Sequence, residues 1–363
     1  MSNRPETEEQ AILSVARKFD PSLSCPGSMD KLSAWRRLCL AVESFMSGGG
    51  GGAAPVTIVD QVSGDDSTAQ RRVSSKPYQT VKAAVDDSQP DDYIFVNKGV
   101  YNEENMTIPH NLSLEFASGS FLIGSENTGN LFTVTASVAN AVHFYGFFQI
   151  FCNSDGFIFD AESCIHVDMD SFSQLGNGGA SRLHGSANES TFNFRGGGAF
   201  SQTMTADAGF VIEGGLNALQ FRGGRLVCHT MPIMLFRGAT SPQATAIINV
   251  DGMRVQDASA IVLESAADIR LVDTDFRLAD SGPPSVEPFI LFSNASGNCR
   301  LQMSGGSFQG GTATVTCIDG LALGGTNELR FSTLVPSTHI VGPGATVEFG
   351  NVTVDASWEV ITL

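Results

Sequence analysis

Between residues 219 and 335 the chain returns repeatedly to one short frame. LQFRGGRL (219–226), INVDGMRV (248–255), LQMSGGSF (301–308) and LRFSTLV (329–335) each place apolar residues first and third. A polar or glycine kink follows, and then another apolar residue. IRLVDTDFRLADS echoes INVDGMRVQDAS, with Val250-Asp251 and Val272-Asp273 standing 22 positions apart (250 to 272). A degenerate repeat of roughly 20 to 30 residues, with several short strands in each, is the sequence mark of a solenoid whose coils stack by ladder hydrogen bonds. A sandwich would need longer strands in units of about 100 residues. A propeller would need aromatic signatures in blades of about 40 residues, and the chain has only two tryptophans. Composition agrees with the solenoid. Among 363 residues there are 39 glycines, and charged residues make up 16%, well below the usual 25% or so.

The segment before residue 56 has a different character. Thr7 and Gln10 fit a capping box, Glu8 and Glu9 suit a helix N-terminus, and Ile12, Val15, Ala16 and Phe19 form an apolar stripe. DPSLSCPGS breaks that helix. A second is expected over about Met29 to Met46, with Leu32, Trp35, Leu38, Cys39, Val42, Phe45 and Met46 on one side. Two short helices cannot bury a core alone, so residues 1–46 read as an anchor, with Trp35, Leu38, Val42 and Phe45 as its apolar contacts. Residues 47–54 contain the run SGGGGG (47–52) without the Lys-Ser/Thr of a phosphate loop, and read as a flexible linker. Residues 55–363 form the solenoid domain.

In YQTVKAAVDDSQ, Tyr78, Val81, Ala84 and Val85 share a helical face, while Lys82, Asp86 and Asp87 lie away from it. A helix so early in a strand-rich chain has a physical reason. The first coil of a solenoid exposes apolar surface and unpaired strand edges, which need a cap. The order of this helix, DDYIFVNKGVYNEENMTI and NLSLEF, over residues 78–116, resembles the entry to right-handed parallel β-helices of the pectin-lyase-like type. The expected class is all-β, with a capped parallel β-helix preceded by a small helical segment. Proteins of that fold include lyases, hydrolases, esterases and non-enzymatic virion spikes. Anchor, linker and capped solenoid in that order are similar to bacteriophage tailspikes and capsid-attached fibres. The resemblance implies a structural virion protein, a spike, fibre or capsid decoration at the virion surface. Its partners would be other virion proteins at the helices, two further copies in a homotrimer, and a host-surface glycan. The alternative it implies is a polysaccharide depolymerase, hydrolase or lyase, using outward carboxylates.

The charge of −17 argues against nucleic acid as a ligand. The polar start MSNRPETEEQ predicts no secretory leader and synthesis in the cytosol, and no apolar run reaches the ~18 residues of a membrane span. Seven dispersed cysteines without a C-x-x-C predict buried thiols rather than disulfides or zinc. No metal or cofactor is expected.

Alternation in IHVDMDSF points His166, Asp168 and Asp170 outward, with carboxylates about 6.5–7 Å apart along a strand, the range of inverting glycosidases. LVDTDFRL does the same for Asp273, Asp275 and Arg277. The two aspartate pairs are 105 residues apart (168 to 273), about four coils or roughly 20 Å. They cannot form one dyad, though both could line a groove. SDGFIFDAES, around Asp155, departs from the aspartate-centred strand of pectin methylesterases by an inserted Gly156, so esterase chemistry is not expected. Arg195, Arg222 and Arg237 each precede glycine; such arginines more often satisfy turn carbonyls or neighbouring acids, and if stacked down one face they would bind acidic sugars or a subunit partner.

Overall fold

The computed structural model describes residues 56–124, 130–136, 141–151, 155–159, 164–175, 180–185, 191–200, 207–214, 218–228, 230–238, 245–256, 258–278, 288–293, 299–309, 316–319, 327–331, 339–340, 345–349 and 359–360. The proposed anchor with Trp35, Leu38, Val42 and Phe45, and the linker 47–54, lie outside them.

Every strand ladder among the described residues is parallel. The strands fall into a 17-stranded and an 11-stranded sheet. One coil runs through two legs in the larger sheet and one in the smaller, as in Ala218–Arg222, Arg225–Val227 and Met234–Arg237. Each leg pairs with the equivalent leg of the next coil, so the chain is the all-β parallel β-helix that the resemblance implied. Two-residue alternation supplies the interior. Leu114, Phe144, Val167, Phe194, Phe221, Ile248, Leu271 and Met303 stand in successive register and are all buried. Phe194, Phe210 and Phe221 pack as an aromatic knot with ring centroids 5.1–5.7 Å apart, the edge-on spacing aromatic rings prefer.

Coil length varies more than the repeat suggested. From Ile94 to Leu114 a coil takes 20 residues, and from Ile269 to Leu301 it takes 32. The frame LQFRGGRL is also offset. Ile248 pairs with Phe221 rather than Leu219, and with Leu271. The slip is two residues, so the inward and outward assignments survive it; a slip of one would have reversed every side chain.

The corner between the two legs of the larger sheet is built from left-handed backbone. Gly119, Gly146, Gly196, Gly223, Gly224, Gly305 and Gly306 have positive φ there, and Asp273 takes the same role at φ 47°. Close approach explains two of the glycines. A Cβ on Gly224 would lie 2.2 Å from the Gly196 carbonyl carbon, and one on Gly306 would lie 2.1 Å from the Thr274 oxygen.

The early helix is present as Val81–Asp86, with Thr80 as N-cap accepting from the Ala83 N–H and with Val81, Ala84 and Val85 buried. It packs on Met106–Ile108, the first strand of the 11-stranded sheet, and so covers that edge. Polar clamps hold it. The Glu103 carboxylate accepts from Val81 and Lys82 N–H, and Asp66 accepts from Gln79 and Thr80 N–H. Below it, buried Asp92 bonds Arg71 and Arg72 at 3.0 and 2.7 Å. Cys228 and Cys299 are buried thiols, and Cys164 is half-buried and also free.

Candidate functional site

On the outer side of the 17-stranded sheet, consecutive coils place polar side chains in line. One row runs His143, His166, Asn193 and Gln220. The neighbouring row runs Glu115, Tyr145, Asp168, Arg195, Arg222 and Asn249. Ladder spacing stacks the planar groups of adjacent coils. The His143 and His166 rings are 4.8 Å apart at 11°, and His143 lies 5.5 Å from Tyr145 at 16°. Asn193 donates through Nδ2 to His166 Nδ1 at 3.1 Å, which leaves the ring proton on Nε2. Burial, reinforced by the Arg195 charge and opposed by Asp168, holds His166 below its usual range. Its imidazole is therefore neutral near pH 7.

Arg195 reaches the Asp168 carboxylate, Nη1 to Oδ2 at 3.5 Å. Arg222 is one ladder step further on and exposed. Among the described residues it has no ion pair. The two arginines occupy adjacent ladder positions on strands about 4.8 Å apart, and of the two only Arg195 is paired with a carboxylate. That arrangement leaves donors for a carboxylate or sulfate group. Arg225 and Arg270 are also exposed on this sheet, as are Asp251 and Asp273 at its corners.

Several expected groupings are rearranged. His166 and Asp168 do share the outer face, both half-buried. The register with both neighbouring strands shifts between Asp168 and Ser171, and the Asp170 backbone lies within that shift. Asp273, Asp275 and Arg277 are not on one strand. Asp273 is an exposed corner residue ahead of the strand Asp275–Leu278, and the buried Thr274 between them bonds the Ile248 carbonyl. Asp275 is paired with Arg277 at 3.0 Å. Asp273 directly follows the strand Asp268–Val272, which lies four ladder steps from the strand of Asp168, the coil count that the spacing implied.

Arg195 and Arg222 stand in register on adjacent coils, but Arg237 belongs to the other sheet. There it joins Glu213 and Asp207, each at 2.7 Å, while Arg182 holds Asp155 at 2.8 Å. Burial pushes the Asp155 carboxyl up, against the pull of Arg182. His143, Tyr145, Asn193 and Gln220 were not singled out by sequence reasoning. Their signal is a polar residue recurring at 23 and then 27 positions (143 to 166 to 193), visible only once the unequal coil lengths are known.

Among the described residues no group of three or more His, Cys, Asp or Glu is placed to hold a metal ion, and no helix is long and apolar enough to cross a membrane. No family model matches the sequence, and no curated protein matches it. Among solved structures, the chain is similar to a family 28 exopolygalacturonase of Yersinia enterocolitica, at 10% identity. The match covers 85% of this chain and 78% of that one with a TM-score of 0.31. The fold assignment rests on the strand ladders themselves.

Proposed function

We propose that the protein is an attached β-helical spike, fibre or capsid decoration that presents the outer face of its 17-stranded sheet to an acidic polysaccharide. The observation that carries this reading is the in-register pair Arg195 and Arg222, beside the His143–His166–Asn193–Gln220 row. A polymer laid along the solenoid axis meets a polar side chain at the same position of successive coils. Cationic groups engage its acids, and amide and imidazole edges engage its hydroxyls. Asp168 and Asp275 each already hold an arginine, which suits them to positioning side chains more than to proton transfer. Attachment through residues 1–46, a homotrimer and a place on a virion surface are parts of the proposal supported by the anchor, linker and solenoid order of the sequence.

A second reading, a depolymerase on the same scaffold, is favoured by Asp155. Burial raises its carboxyl although Arg182 pairs with it at 2.8 Å, and Glu213 and Arg237 are among the charges acting on it.

The test is titration of the full chain with polygalacturonate, hyaluronate and neutral dextran, with light scattering for mass and assay of newly released reducing ends. Salt-sensitive binding to an acidic polymer, weakened roughly tenfold in Arg222→Ala, with no released ends, supports the adhesive spike. Equal binding of dextran and the acidic polymers sinks it. Release of ends that is lost in Asp155→Asn establishes the depolymerase instead.

A further inference from the structure

The large apolar side chains that stand exposed among the described residues are Val62, Val100 and Phe151, at 92%, 46% and 40%. They are not scattered. Val100 pairs with Phe121, and Ile123 with Phe151, on the second leg of three successive coils. All four point outward, since the intervening Tyr101, Leu122 and Ile150 are buried. Val62 follows Gln61, whose Oε1 accepts the Val100 N–H at 3.1 Å. Val100, Phe121, Ile123 and Phe151 thus form an apolar patch on the flank of the first coils, with outward Asn102 and Gln149 at its edges and Val62 in the loop beside it.

We propose that this patch is the docking site of residues 29–46 of the same chain, through the stripe Trp35, Leu38, Val42 and Phe45. Three observations favour that occupant. The stripe cannot bury itself within one short helix. The connection also has the right length. Residues 47–55 are nine residues with a typical span of roughly 17 Å as a glycine-rich coil and at most about 30 Å. The strand Thr57–Val59 is three ladder steps from that of Phe151, roughly 14 Å along the axis. Charge is the third. Residues 29–46 hold Lys31, Arg36 and Arg37 against Asp30 and Glu43, so three minus two leaves them at +1 on a chain of −17. The docked arrangement concerns the free chain and does not depend on what the sheet surface binds.

The test replaces Phe121 with the photo-cross-linking residue p-benzoylphenylalanine in the full chain, followed by irradiation and peptide mapping. The expected result is an adduct within one chain to residues 29–46. An adduct between two chains, an adduct to any other segment, or none at all overturns the proposal. Phe151→Glu provides an independent readout, because a side chain 40% exposed tolerates the change without loss of fold. Limited proteolysis within residues 29–46 is expected to speed up roughly tenfold in that variant. An unchanged rate also overturns the docking.

Discussion

Glu103 is 3% exposed beneath the first turn of the capping helix. Its carboxylate accepts the Val81 N–H at 2.6 Å and the Lys82 N–H at 2.9 Å. Burial and these donors act in opposite directions. Burial is the larger, and it pushes the carboxyl from 4.5 up to about 7, with Asp66 adding to the rise and Lys82 opposing it. A carboxyl whose folded pKa exceeds its unfolded value holds its proton more tightly in the native state. Its contribution to stability is therefore full below about pH 4.5 and is lost as pH rises toward 7. The interval corresponds to about 3 kcal/mol. Glu103→Gln removes that titration but leaves one of the two N–H groups without its acceptor, at a cost of about 1 kcal/mol. Equilibrium urea unfolding of both proteins from pH 4.5 to 8 checks the balance. The wild type should be the more stable by about 1 kcal/mol at the acid end. Above pH 7 the variant should lead by about 2 kcal/mol. If the wild type gains on the variant as pH rises, the two donors outweigh burial and the reasoning fails.

Neighbouring corner glycines should respond differently to alanine. At Gly223 a Cβ meets nothing within 4 Å, so only the left-handed backbone opposes it, at about 1 kcal/mol. At Gly224 the added collision with Gly196 should at least double that loss in urea unfolding. Asp92→Asn removes the charge shared by Arg71 and Arg72. Since both arginines reach water, we expect about 3 kcal/mol lost, at the low end for a broken buried pair, read as a fall in the urea midpoint. Phe221→Ala opens a hole against Phe194 and Phe210 and should cost about 3–5 kcal/mol. Phe221→Leu should cost less than half as much by the same measurement.

The capping helix was legible because its evidence is local. Thr80, Val81, Ala84 and Val85 lie within six residues, and helical periodicity needs no distant partner. The coils were legible as a rhythm for a similar reason, since alternation within a strand sets which residues face inward. Corner positions were harder. Asp273 looked like a strand residue because Asp273, Asp275 and Arg277 keep a spacing of two, and a left-handed bend between them leaves no mark in that spacing. The pairing of Arg237 with Glu213 was invisible for the opposite reason. An arginine before glycine looks alike on either sheet, and only the register of Met234–Arg237 on Phe210–Gly214 assigns it.

The sequence by itself determined the architecture: short alternating runs, glycine-marked corners and an early amphipathic helix permit stacked parallel coils and little else. What only the tertiary structure decided is which outward residues become neighbours. Coil length varies from 20 to 32 residues between Ile94 and Leu301, so contacts between coils depend on register, and register is a property of the hydrogen-bonded ladder. His143 meets His166, and Arg195 meets Arg222, because those ladders align them. Inward residues need only be apolar to satisfy the core, whereas the surface row depends on each coil's length, which no local pattern encodes.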